Sequence, residues 1–435
     1  MHRTVLSLVF LCVVASPLVA AAQEPAAPIS PAPSRFGVTA DDPPLTLADC
    51  FTLALAQSET IAIQQELIKE TEGRFLQALS GVLPRASFAL SEKRQDGSGG
   101  SAFTLREIPE RKFVFSQPLF SGFKEFAAMA GARAERRERK EERARAEGLL
   151  LVDAADAFYL LLEHREDLKA LEAIRTALVG RIDELKERQR LGRSRPSEVV
   201  SAEAQVLRVE AELELARSEE TTARQLLEFL TGRAPIGAIT DNEPPLLPPG
   251  NEDDYVAKAP TRPDVKAAEE AWQAAKNEVT IAQAARWPKV DVESNYYETR
   301  AGAASGVDWD VILTVDAPIF QGGQTIGAVR EAASRERQAE LHFERTQREA
   351  ELDIRDTCAK LQGAMARHAA LQSALAAAEE NYRLQVEDYR LSLINNLDVL
   401  QTLQALEDAR REAVAARYAA KRLHWRLRVA VGETL

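Results

Sequence analysis

The stretch QPLFSG at Gln117–Gly122 returns as APIFQG at Ala317–Gly322. Each copy sets a proline near the end of an apolar run, then an aromatic residue, then a glycine that opens a long charged segment. The phrase reads as a junction between two elements, and its recurrence points to a duplicated unit. At an offset of 200, Pro118 meets Pro318, Phe120 meets Phe320, Gly122 meets Gly322, Leu191 meets Leu391, Leu227 meets Leu427 and Gly232 meets Gly432. An earlier anchor, Val82-Leu83-Pro84-Arg85 against Arg286-Trp287-Pro288-Lys289, lies at an offset of 204. The difference must fall between Pro84 and Pro118, an interval holding the turn-like Gly97–Ser101, where insertions are tolerated.

Each unit reads helix, strand, strand, long helix, helix. In the second copy Val290, Val292 and Tyr296 alternate with Asp291, Glu293 and Asn295, and Trp309, Val311, Leu313 and Val315 alternate with Asp310, Thr314 and Asp316. Only Ile312 breaks the period-two pattern of a sheet with one wet face. The first copy is weaker, with Ala86, Phe88 and Leu90 in one strand and Phe113 and Phe115 in the other. Strands are expected at about 84–94, 110–120, 288–299 and 308–320. Gly/Ser-rich loops, Gln95–Ala102 and Ala301–Gly306, separate each pair.

The remainder reads as helix. Lys124–Leu191 contains no proline, and neither does the chain from Gln324 onward. One heptad row runs through Val199, Val206 and Leu213, is broken at Glu220 and resumes at Leu227, and the other runs through Ala202, Val209, Ala216, Ala223 and Leu230. A second seam repeats them at Val399, Leu406, Ala413, Ala420 and Leu427, and at Thr402, Ala409, Ala416, Leu423 and Ala430. Alanine at so many seam positions predicts close, knobs-into-holes packing, with helices of other subunits among the partners.

The 435 residues include 55 Lys+Arg and 67 Asp+Glu, a net charge of −12, which argues against nucleic acid as a partner. The arginines of Arg133–Arg145 are interleaved with glutamates and read as a solvated helix face. Arg3, the apolar stretch Val5–Val14 and Ala20-Ala21-Ala22 form a secretory signal over residues 1–22. Cys12 lacks the small preceding residues of a lipidation site, and the later Cys50 and Cys358 read as buried free thiols. No later stretch has the ~18 apolar residues of a membrane-spanning helix. HExxH, P-loop and GxSxG motifs are absent, and His164, His342, His368 and His424 are scattered. No catalytic residue, metal ligand or cofactor is expected.

Four strands of ~10 residues match the span of an outer-membrane strand, but four cannot close a barrel and open edges are not tolerated in lipid. Several chains must therefore pool their strands. Phe88, Phe113, Phe115, Tyr296 and Trp309 are expected on the lipid face. Asp291, Glu293, Asp310, Thr314 and Asp316 are expected toward a water-filled lumen.

At this point the chain resembles the TolC-type outer-membrane efflux proteins, also called outer membrane factors. The resemblance covers nearly all of the chain after the signal. It rests on the order of LTLADCFTLALAQS (Leu45–Ser58), the strand starts LPRASF and WPKVDV, the two junctions, and the helical tips LGRSRPSEVV (Leu191–Val200) and LSLINNLDVL (Leu391–Leu400). The chain departs from the family pattern in its Pro/Ala-rich leader and in the little that follows Gly432. The resemblance implies a mainly α fold with a membrane β-barrel portion: a homotrimer with a 12-strand barrel and a 12-helix periplasmic tunnel. It implies outer-membrane lipid, a periplasmic adaptor (membrane fusion) protein and an inner-membrane transporter as partners, with no nucleic acid. The implied role is the exit channel of a tripartite efflux system. An exit duct for secreted polypeptides and a structural periplasmic coiled coil are the alternatives.

The expected organisation is signal 1–22, leader 23–44, first repeat 45–232, equatorial linker 233–263 and second repeat 264–435. The adaptor would dock at the tips, on Gly192, Arg193, Ser194 and Arg195 and on Ser392, Leu393 and Asn395. By resemblance Asp398 matches the acidic position at the periplasmic entrance, and Gln401 stands where the family has a second acid. Glu198 occupies the corresponding place in the first copy, where complementing the helix dipole is sufficient reason for a carboxylate.

Overall fold

The computed structural model describes residues 43–96, 105–391 and 393–435. The signal, nearly all of the leader, the turn Gly97–Ser101 and Ser392 lie outside the described residues. Helices α1 (Leu47–Gln57) and α2 (Glu59–Ser80) lead into β1 (Arg85–Arg94) and β2 (Glu107–Phe120). Helices α3 (Lys124–Arg190) and α4 (Pro196–Thr231) follow. The linker carries a short helix α5 (Glu252–Val256) and a 3-10 turn, Ala259–Thr261. Then come α6 (Pro263–Ala284), β3 (Lys289–Arg300), β4 (Trp309–Asp316), α7 (Gln324–Arg390) and α8 (Asn396–Ala430). Helices α3 and α7 each have 67 residues, about 100 Å of continuous helix.

The strands form one antiparallel sheet in the order β1-β2-β3-β4, so β1 and β4 are edges and the β2–β3 pair joins the two repeats. β2 starts at Glu107 rather than near 110, and β4 stops at Asp316 rather than near 320. Proline accounts for part of this, because it cannot donate to a ladder. Pro118 sits where the β2–β3 register shifts, whereas Pro318 lies just past the end of edge strand β4.

The repeated junction turns the chain from strand to helix through two left-handed residues. They are Gly122 and Phe123 (φ 70° and 66°) in the first copy and Gly322 and Gly323 (φ 59° and 90°) in the second. Their surroundings differ. A Cβ at Gly122 would lie 2.7 Å from the Ala284 carbonyl oxygen and 2.9 Å from Trp287 Cβ, whereas Gly322 has nothing within 4 Å. The first junction is thus pressed against the end of α6, and the second stands open.

In α4 the heptad residues Val199, Ala202, Val206, Val209, Leu213, Ala216, Ala223 and Leu227 are buried, while Leu230 is half-buried. The facing residues of α3 include Leu171, Leu178 and Leu185. In α8 the corresponding seam buries Val399, Leu406, Ala413, Ala416, Ala420 and Leu427, while Thr402, Ala409 and Leu423 are half-buried. α8 also lies along α3, tying the repeats together. Arg411 pairs with Asp167, Tyr418 donates to Glu166 at 2.6 Å and Arg422 pairs with Glu163 at 2.7 Å. α7 is different. Most of its length is exposed, and Ile326, Leu341, Leu352 and Leu384 face outward.

The junction geometry gives a direct test by thermal unfolding. Gly122→Ala combines left-handed strain with overpacking and costs about 2–4 kcal/mol. Gly322→Ala carries only the strain, about 1–2 kcal/mol. Equal losses would contradict the crowding at Gly122.

Candidate functional site

The first surface is the sheet. Cross-strand partners share a face, and the register aligns Phe88 with Phe113, Phe113 with Tyr296, and Tyr296 with Trp309. Phe115, Val292, Val311, Leu313 and Val315 lie on this same face. No layer of the described chain covers it: Phe88, Phe113, Phe115, Tyr296, Trp309 and Leu313 are 44–62% exposed. A contiguous exposed apolar face of this kind marks a surface that meets lipid or another protein.

The opposite face is polar. Asp291 lies across from Thr314, Glu293 from Ile312, Asn295 from Asp310, and Lys289 from Asp316. Asp291, Glu293, Asp310, Thr314 and Asp316 thus occupy one face together. Asn295 donates to Asp310 at 2.9 Å and to Glu293 at 3.0 Å, and the Tyr297 hydroxyl donates to the other Asp310 oxygen at 2.9 Å. The Arg300 guanidinium lies 4.0 Å from the Tyr297 ring centre and the Lys112 ammonium 5.6 Å. Sequence reading did not find Tyr297, Arg300 or Lys112. The bulge between Arg111 and Lys112 brings them into one cluster.

The second surface is the pair of helical tips. In the first, Arg193 and Arg195 are exposed and Ser194 donates to Glu198 at 2.6 Å. Pro196 opens α4, whose N-cap Arg195 makes no side-chain cap bond. The second tip is built differently. The Asn395 side chain accepts the N–H groups of Leu397 and Asp398, at 2.7 and 3.2 Å, and the Asp398 carboxylate accepts the Asn395 N–H at 3.2 Å. Asp398 is therefore the N3 residue of a capping box whose N-cap is Asn395. A structural reason to exist falls on Asp398 as well as on Glu198. Gln401 and Leu393 are exposed.

Beside the second tip is a cluster that the sequence did not announce. Arg181 Nε donates to Asn396 Oδ1 at 3.0 Å, and the Arg181 and Arg188 guanidiniums lie 3.8 and 4.4 Å from the Tyr389 ring centre. Tyr389 and Asn396 are buried. Comparing the copies supplies the one available signal: Tyr389 and Asn396 stand where the first copy has Gln189 and Pro196.

Elsewhere the chemistry is sparse. Among the described residues no group of His, Cys, Asp and Glu could hold a metal ion, and no helix is long and apolar enough to cross a membrane. Cys50 and Cys358 are free and buried, and burial pushes the Cys50 thiol up to about 12.

Comparison with known proteins follows from this architecture. The family model described as outer membrane efflux protein matches residues 259–433. The outer membrane efflux protein BepC of Brucella suis biovar 1 (strain 1330) is 24% identical over 315 residues, which are 70% of this chain and 69% of BepC. The fold matches CusC with a TM-score of 0.79 at 18% identity, covering 89% of this chain and 92% of that one. It matches the outer membrane protein VceC of Vibrio cholerae with a TM-score of 0.78 at 23% identity, covering 89% and 96%. Residues 259–433 match the outer membrane efflux protein family, and the fold of the chain is that of the outer-membrane channels it resembles. The chain is an outer-membrane protein that extends into the periplasm, and its family and fold neighbours are efflux channels, which are not enzymes.

In an outer-membrane protein the two sheet faces respond differently to charge. Leu313→Arg, on the apolar face, costs about 2–4 kcal/mol, and the adjacent Thr314→Arg costs far less. Heat resistance of the two variants after membrane extraction measures this. A larger loss for Thr314→Arg would exchange the roles of the faces.

Proposed function

We propose that three copies of this chain close their sheets into a twelve-stranded outer-membrane barrel continued by a twelve-helix periplasmic tunnel, and that this channel is the exit duct of a tripartite efflux system. One observation carries the reading. The sheet has unpaired edges at β1 and β4 and an exposed apolar face between them. In hydrocarbon the unpaired N–H and C=O groups of both edges must find partners, and further copies of the same sheet supply them in register. The outward residues of α7 add support, since a long helix with a bare apolar stripe calls for a neighbour. Outer membrane efflux channels form trimers and work with efflux pumps, in keeping with this assembly.

In this channel Asp291, Glu293, Asp310, Thr314 and Asp316 line the barrel lumen. The tips are the far ends of the helices. Gly192, Arg193, Ser194 and Arg195, with Ser392, Leu393 and Asn395, meet a periplasmic adaptor that joins the channel to an inner-membrane transporter. Asp398 contributes to a ring of three carboxylates at the entrance. Such a ring concentrates cations. Gln401 supplies no second ring, and Glu198 acts chiefly through its helix terminus.

Planar-bilayer recording tests this assignment. Asp398→Ala lowers cation selectivity and changes conductance, and Glu198→Ala does so less. Asp398→Asn separates charge from capping, because the amide oxygen still accepts the Asn395 N–H. Wild-type selectivity and conductance in both Asp398 variants would remove the residue from the entrance. Absence of any conductance in the wild type would remove the channel itself.

A further inference from the structure

Glu407 lies in the N-terminal third of α8, one turn after the buried Leu403, and is only 4% exposed. Its Oε1 is buried and has no hydrogen-bond partner. An ionised carboxylate in such a place is costly unless a cation meets it. The nearby cation is already committed. Arg411 donates Nε and Nη2 to Asp167 of α3 at 2.8 and 3.2 Å, and Nη1 to Glu212 of α4 at 2.9 Å. Three carboxylates, Asp167, Glu212 and Glu407, therefore surround one guanidinium, and Asp408 adds a fourth negative charge. On the α7 side Glu379 pairs with Arg410 of α8 at 3.0 Å, so that arginine is likewise occupied.

From this geometry we infer that Glu407 is a proton-binding site, and that its proton lets α8 pack against α3 and α4 at the junction of the two repeats. Protonated, Glu407 is a neutral side chain continuing the buried face of Leu403, and Arg411 is free to clamp α3 and α4 together. Ionised, it either stays unpaired or draws Arg411 away from Asp167 or Glu212. Both outcomes loosen the contact. An open groove of about 350 Å³, lined by Glu163, His164, Asp167, Asp408, Arg411 and Glu412, borders the cluster and brings bulk water next to the groups that surround Glu407.

The charge balance agrees. Burial first, then the Glu212 charge, push the Glu407 carboxyl up to about 7, against the opposing pull of Arg411. A carboxyl raised in the folded state stabilises the fold fully below its ordinary range near 4.5, and that stability is lost as pH rises through about 7. Under the channel reading above, the tunnel wall is held more tightly in acid. The test below uses properties of the chain alone, so failure of the channel reading leaves it standing.

Infrared difference spectra of the full chain in detergent, from about pH 5 to about pH 8, read the proton directly. The wild type shows a protonated-carboxyl band that titrates near 7 and is missing in Glu407→Gln. In Glu212→Gln, which removes one competing charge, the band titrates at lower pH. Thermal unfolding reads the linkage. Over the same range the unfolding constant of the wild type rises roughly 10- to 100-fold relative to that of Glu407→Gln. A band unchanged in Glu407→Gln, a carboxyl already ionised at about pH 5, or identical pH slopes for the two proteins would overturn the assignment.

Discussion

Backbone hydrogen bonding in a medium without water is the constraint on which the rest depends. Within one chain, β2 and β3 are paired on both sides, but β1 and β4 each leave a row of N–H and C=O groups open. Each such group left unpaired in hydrocarbon costs several kcal/mol. The apolar face running from Phe88 to Leu313 shows that this sheet is made to leave water on one side. A sheet with two open edges calls for further copies in a membrane, and the number three in the proposed assembly is what the family resemblance implies.

The helices extend the same logic into water. Long proline-free segments give α3 and α7 their reach, and small residues on α4 and α8 bring their partners close. What distinguishes this bundle from a plain coiled coil is the polar set between α8 and α3. Arg411, Tyr418 and Arg422 reach acidic residues of the other repeat. These contacts hold two copies of one unit together through named charge pairs rather than through an apolar seam alone. Glu407 is a buried member of this region around which the carboxylates Asp167, Glu212 and Asp408 outnumber the single Arg411, and the proposed proton offsets that excess.

Much of this was legible in the sequence, for local reasons. Period-two alternation placed Asp291, Glu293, Asp310, Thr314 and Asp316 on one sheet face, because a strand offers only two faces. The heptads of α4 were readable because burial repeats with the helix. The matched junctions fixed where strand gives way to helix. What escaped were contacts between residues far apart in the chain. The stacking of Arg181 and Arg188 on Tyr389, the bond from Arg181 to Asn396 and the clustering of Lys112 and Arg300 around Tyr297 depend on helix and strand register. The capping box at Asp398 was partly visible in the sequence NNLD, yet its spacing was read only for charge. The first junction also hid its tightness, since nothing local to Gly122 announces that α6 ends against it.

The claim that one chain supplies only part of a membrane barrel is tested most directly by native mass spectrometry of the detergent-purified protein, with circular dichroism on the same sample. The expected result is a mass of three chains whose β-signal is lost when the assembly is dissociated. A stable single chain that keeps its full β-signal would mean that β1 and β4 satisfy their edges without other copies, and the pooled barrel would have to be abandoned.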